Sequence, residues 1–171
     1  MPASSDIART WRGPRRVYRD LLGQGVREDR ALASLMAGCL LVFVAQWPIH
    51  VRTAQGFGVP EGAEAPSLQQ LMTYGFFGWV ILAPLLFYVI ALIVHGAALL
   101  LRGQGPGYYA RLSVFWALLA SSPAALLYGL AAGFIGPAPG TEIAGLLWLG
   151  SFLYFSFQGL RETYGRRARM V

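Results

Sequence analysis

The chain has 171 residues, of which 56% are hydrophobic and only 13% charged, with a mean hydropathy of +0.49 and a formal net charge of +6. Soluble domains carry about a quarter charged residues, so this composition excludes an ordinary water-soluble protein and points to an integral membrane protein. A bilayer crossing takes about 20 residues, so four or five spans nearly use up the chain and leave no room for a catalytic domain outside the membrane.

A lone cysteine, Cys39, and two histidines, His50 and His95, exclude a disulfide framework and are too few for a Cys/His metal site. No cofactor is expected. All fourteen basic residues are arginine, and neither lysine nor asparagine occurs. Both missing residues have AT-rich codons, which points to a GC-rich, bacterial genome; without asparagine there is also no N-glycosylation acceptor.

Residues 1–30 form a basic arm with seven arginines and no apolar run long enough for a signal-peptide core, so the N-terminus is expected to be retained. Ile7, Trp11, Val17, Tyr18, Leu21 and Leu22 recur at roughly helical spacing, with Arg9, Arg12, Arg15, Arg16 and Arg19 between them. Pro14 suits a first helical turn, and Gly23 and Gly25 suit an end, which predicts an amphipathic interfacial helix over about residues 14–23. These arginines either only hold the N-terminus in the cytoplasm or form a docking face for a protein or anionic lipid, where each arginine among anionic headgroups contributes about 1 kcal/mol of binding.

The transmembrane domain is expected over residues 31–160. The first span, 31–49, is free of charge and finishes at Trp47 and Pro48, an interfacial aromatic followed by a helix breaker. Residues 50–70 have loop composition. The second apolar stretch, 71–101, would be roughly 45 Å long as one helix against a hydrocarbon core of about 30 Å, so it must tilt, protrude or kink, with Pro84 as the kink candidate. RGQGPGYYAR at 102–111 is a short interfacial connection with Tyr108, Tyr109 and Arg111. The third span is placed at 110–136 and the fourth at 142–160, followed by a basic tail over 161–171.

Splitting the third stretch at Pro123 would leave halves of about a dozen residues, too short to cross. Four spans also put thirteen of the fourteen arginines on one side, leaving only Arg52 opposite. The positive-inside rule then predicts an all-α, four-helix membrane bundle in a bacterial inner membrane, with both termini cytoplasmic.

Within the spans, His95 is expected to bond a neighbouring backbone carbonyl, Arg111 to snorkel to the interface, and Glu142 to favour the N-terminal dipole of the fourth helix. Ser113, Ser121 and Ser122 lack a histidine at matching depth, which disfavours a serine nucleophile. Gly129 and Gly133 at four-residue spacing, together with Pro84 and Pro123, are assigned to helix packing. The interruptions at the two prolines carry no embedded acid, which disfavours a carrier.

Two stretches, RGPRRVYRDLLGQG before the first span and GPGYYARLSVFWALLASSP leading into the third, resemble the Yip1 family of small polytopic membrane proteins, notably its short bacterial members. The likeness covers about residues 12–160. Eukaryotic relatives carry a DLYGP-like sequence; here Asp20, Leu21, Leu22 and Gly23 stand in its place, with Gln24 at the proline position. The family is commonly drawn with five spans and is associated with prenylated Rab-type GTPases and vesicle traffic, partners a bacterium lacks. The resemblance therefore implies a non-enzymatic membrane adaptor or organiser. Independently of the resemblance, the basic arm and the 102–111 connection give the expected contacts, which are anionic headgroups and a membrane-protein partner or second copy, not nucleic acid, through Trp11, Arg12, Arg15, Arg16, Arg19, Tyr108, Tyr109 and Arg111. An accessory subunit of a larger, bioenergetic membrane complex is the first alternative, and a small-molecule transporter or channel the second.

Overall fold

The computed structural model describes residues 3–101 and 103–165. Among them the regular elements are all helical: α1 (Ala3–Arg12), α2 (Pro14–Gly23), α3 (Glu28–Ala45), α4 (Trp47–Ala54), α5 (Leu68–Phe76), a π-helical stretch (Phe77–Leu82), α6 (Ala83–Leu100), α7 (Tyr108–Phe134) and α8 (Pro139–Gly165). Four helical units among the described residues are long and apolar enough to cross a membrane: Glu28–Ala54, Leu68–Leu100, Tyr108–Phe134 and Pro139–Tyr164. The protein is therefore an all-α, multi-pass membrane protein with the expected four spans. Arg102 and the tail beyond Gly165, with Arg166, Arg167 and Arg169, lie outside the described residues.

Pro48 does not stop the first span. It sits in the first turn of α4, where a missing amide hydrogen removes no helical bond, and Gln46 keeps helical angles (φ −83°, ψ −9°), so the helix resumes and runs on to Ala54. The second span starts at a capping box: Ser67 accepts from the Gln70 amide while the Gln70 side chain accepts from the Ser67 amide. Its irregularity lies just ahead of Pro84. The Ala83 amide donates to the Gly78 carbonyl, five residues back, and this widened turn accommodates a proline that cannot donate to residue 80. The third span passes through Pro123 without interruption. The fourth begins at Pro139, three residues earlier than expected, with Glu142 still in its first turn.

α7 is the central helix, with 67% of its apolar stretch buried, and it packs chiefly on α8 and α3. Close approach explains the glycines of the third span. A Cβ at Gly129 would strike the backbone of Ala45, and one at Gly133 would strike Pro48, so the pair seats the α3–α4 junction on α7. The Leu68–Leu100 span is at the margin, with only 17% of its window buried. Ile81, Leu82, Leu85, Leu86, Val89, Leu92 and Ile93 form an exposed apolar face that water would not tolerate and acyl chains do.

Candidate functional site

The two arm helices fold back on each other and dock against one end of the bundle. The predicted helix over 14–23 is present with those bounds, but its apolar stripe does not lie open to lipid. Val17, Tyr18 and Leu21 are buried against the protein's own helices, with α2 packed on α8. The Tyr18 hydroxyl donates to the Ser113 carbonyl at 3.1 Å, and Gly159 leaves the room for its ring, since a Cβ there would come within 2.7 Å of it. Burial pushes the Tyr18 phenol well above its ordinary pKa, so it remains a neutral donor.

α1 reaches further along the bundle. The Trp11 indole donates to the Ala120 carbonyl at 2.9 Å and stacks edge-on against Phe155 at 5.3 Å. Ala120 lies in the turn ahead of Pro123, next to Leu119, whose carbonyl is the one that the proline leaves without its helical donor. Thr10 is fully buried, accepts from the Trp116 indole at 3.1 Å and donates to the Asp6 carbonyl at 2.7 Å. At the helical rise of about 1.5 Å per residue, Ala120 is about 13 Å along α7 from Arg111, so the turn between α1 and α2 sits well down the bundle.

The basic side chains assigned to contacts divide into engaged and open groups. Arg15 donates to the Gln158 side chain at 3.0 Å, and Arg19 lies 3.4 Å from the Glu162 carboxylate. Arg111 pairs with Glu28 through both guanidinium positions, its Nε at 3.1 Å. These contacts tie α2 to α8 and α7 to α3. Arg12 and Arg16 are exposed at the turn of the hairpin, with no ion pair or side-chain hydrogen bond to another described residue, beside Trp11 at 41% exposure. Arg9 bridges Asp6 at 3.0 Å and Asp20 at 2.6 Å, and these bonds hold its guanidinium above the ordinary range, Asp20 contributing most.

The tyrosines fare differently from one another. Tyr108 is withdrawn into the core at 3% exposure, whereas Tyr109 is half-buried and packs edge-on against Tyr164 at 6.0 Å. His95 bonds through Nδ1 to the Tyr164 hydroxyl at 2.6 Å, in place of the expected backbone carbonyl, because α8 runs on past its expected end and brings Tyr164 alongside. Ser121 and Ser113 donate to the Leu118 and Tyr109 carbonyls of their own helix. At the far end Arg52 lies over the Phe57 ring, 4.7 Å from its centroid, and His50 Nε2 is buried against Gly75 with no hydrogen-bond partner among the described residues.

Thr10, Trp116 and Asp6 were not singled out from the sequence, and Asp20 was read only as part of the DLYGP-like stretch, not as an acid that pairs. The available signal was the acidic residues interspersed among the arm's arginines, which mark an arm that satisfies part of its charge internally. No protein family, curated protein or solved structure matches this chain.

Proposed function

We propose that this protein is a non-enzymatic adaptor or organiser of the bacterial inner membrane, similar to the Yip1 family, with both termini in the cytoplasm. The carrying observation is the arm: a helical hairpin fixed to the bundle by buried bonds that leaves Trp11, Arg12 and Arg16 exposed at its turn. Rigid presentation of an aromatic and two open guanidiniums suits contact with acidic groups of a membrane-protein partner, since little ordering entropy is lost on binding. Arg15, Arg19 and Arg111 hold the hairpin and its platform in place.

Cross-linking in native membranes followed by mass spectrometry tests this reading. A partner protein should be captured through the arm and lost in the double variant Arg12→Gln, Arg16→Gln. Recovery of uncross-linked monomer alone, or capture indifferent to both substitutions, overturns the adaptor reading.

The alternative of an accessory subunit is favoured by the Leu68–Leu100 span, whose apolar face is mostly uncovered by the chain itself. A cross-link from that face to a larger assembly, with none from the arm, selects it.

A further inference from the structure

Between the hairpin and the bundle lies a half-open cavity of about 590 Å³, within the usual size range of small-molecule sites. It has a charged rim and an apolar interior. Trp116 and Leu119 of α7 supply apolar lining, and beyond Arg30 the α3 wall presents only small side chains, Ala33, Ser34 and Ala37, which is why space remains there. Ala33 and Ala37 are exposed, and so are Leu32, Met36 and Leu40 on the same helix. The apolar lining thus runs on into surface that acyl chains cover in a bilayer.

The rim has two poles. On the hairpin side one guanidinium, Arg9, serves two carboxylates, Asp6 and Asp20, so the cluster carries one negative charge more than positive. On the α3 side Arg30 is partly buried and has no ion pair or side-chain hydrogen bond to another described residue. The four charges sum to zero. A purely anionic headgroup would satisfy Arg30 and be repelled by the carboxylates, and a simple cation would do the reverse. A headgroup bearing both signs satisfies both poles.

We infer that this cavity binds a phospholipid with a phosphoethanolamine headgroup, its phosphate on Arg30, its ammonium toward Asp6 and Asp20, and its chains leaving past Ala33 and Ala37. A primary ammonium offers three N–H donors to the carboxylates, whereas the quaternary ammonium of phosphocholine offers none. The site requires the four spans and the docked hairpin but not the adaptor role, so either assignment stands or falls without the other.

Native mass spectrometry of the full chain in mild detergent, titrated with phosphatidylethanolamine, phosphatidylglycerol and phosphatidylcholine of identical chains, tests the assignment. Phosphatidylethanolamine should bind about tenfold more tightly than the other two, the difference expected for one charge-assisted contact. Asp20→Asn should remove that preference by weakening phosphatidylethanolamine about tenfold. Ala37→Leu, which fills the cavity without touching a charge, should weaken all three lipids, and Arg52→Gln at the far end should change nothing. Chain-free glycerophosphoethanolamine should bind much more weakly than the lipid. Equal affinity for the three lipids, a preference for phosphatidylglycerol, or full binding by the chain-free headgroup overturns the assignment, as does wild-type binding by both cavity variants.

Discussion

Trp11 shows how much of the arm's placement rests on single polar contacts. Its indole spans from α1 to a carbonyl of α7 in the turn where Pro123 supplies no amide. Trp11→Phe keeps a ring against Phe155 and removes the donor, so it should cost about 1 kcal/mol and raise amide exchange in α1 while leaving α2 protected. Exchange measured by mass spectrometry in detergent checks this, and unchanged α1 protection counts against the contact. Trp11 was legible in the sequence as an apolar-face residue of a basic arm. Its bond to Ala120 was not, because nothing local tells which carbonyl an indole will reach across more than a hundred residues. The same holds for Tyr108 and Tyr109: adjacent and alike in the sequence, they are separated by the helical turn of about 100° per residue, which sends one inward and leaves the other at the edge.

Among the elements, α2 was predicted with its observed bounds because Pro14 and Gly23 punctuate it and the stripe between them has helical period. What covers that stripe was predicted differently. Amphipathicity reports that a face is apolar, and lipid and protein satisfy it equally well, so only the docked structure distinguishes α8 and α7 from a membrane surface. The consequence is measurable. Tyr18→Ala empties a buried ring position and should destabilise the docked arm by about 3 kcal/mol, detaching it, whereas the exposed pairing partner Asp20→Asn should leave it attached. Limited proteolysis of the arm reads both; equal resistance in the two variants removes the buried anchor. Pro84 and Pro48 carry a related lesson. Both were visible as interruptions, but a proline sets only which donor is missing, and the neighbouring turns decide between a stop, a π-helical turn and a resumed helix.

For the molecule as a whole, Cys39 is a built-in reporter. It is the single cysteine, it is fully buried between α3 and its neighbours, and a maleimide should not reach it until the bundle opens. Labelling should therefore be near zero in mild detergent and complete in denaturing detergent. Rapid labelling of the native protein would mean that the α3 and α7 packing seated by Gly129 and Gly133 is not as described. The contacts between the spans agree with four crossings: Arg19 meets Glu162, Arg111 meets Glu28, and His95 meets Tyr164, so the arm and the end of α8 lie at one end of the bundle.

Hydropathy and arginine distribution, both properties of short windows, determined the class of protein, the number of crossings and the existence of the basic arm, because a bilayer acts on each apolar run independently of the others. Tertiary structure alone decided that the arm clamps α7 and α8, that the glycine pair is consumed in seating the α3–α4 junction, and that opposite charges from α1, α2 and α3 converge on one cavity. Those outcomes depend on distances between segments far apart in the chain, and no local pattern encodes which of several chemically equivalent faces will meet.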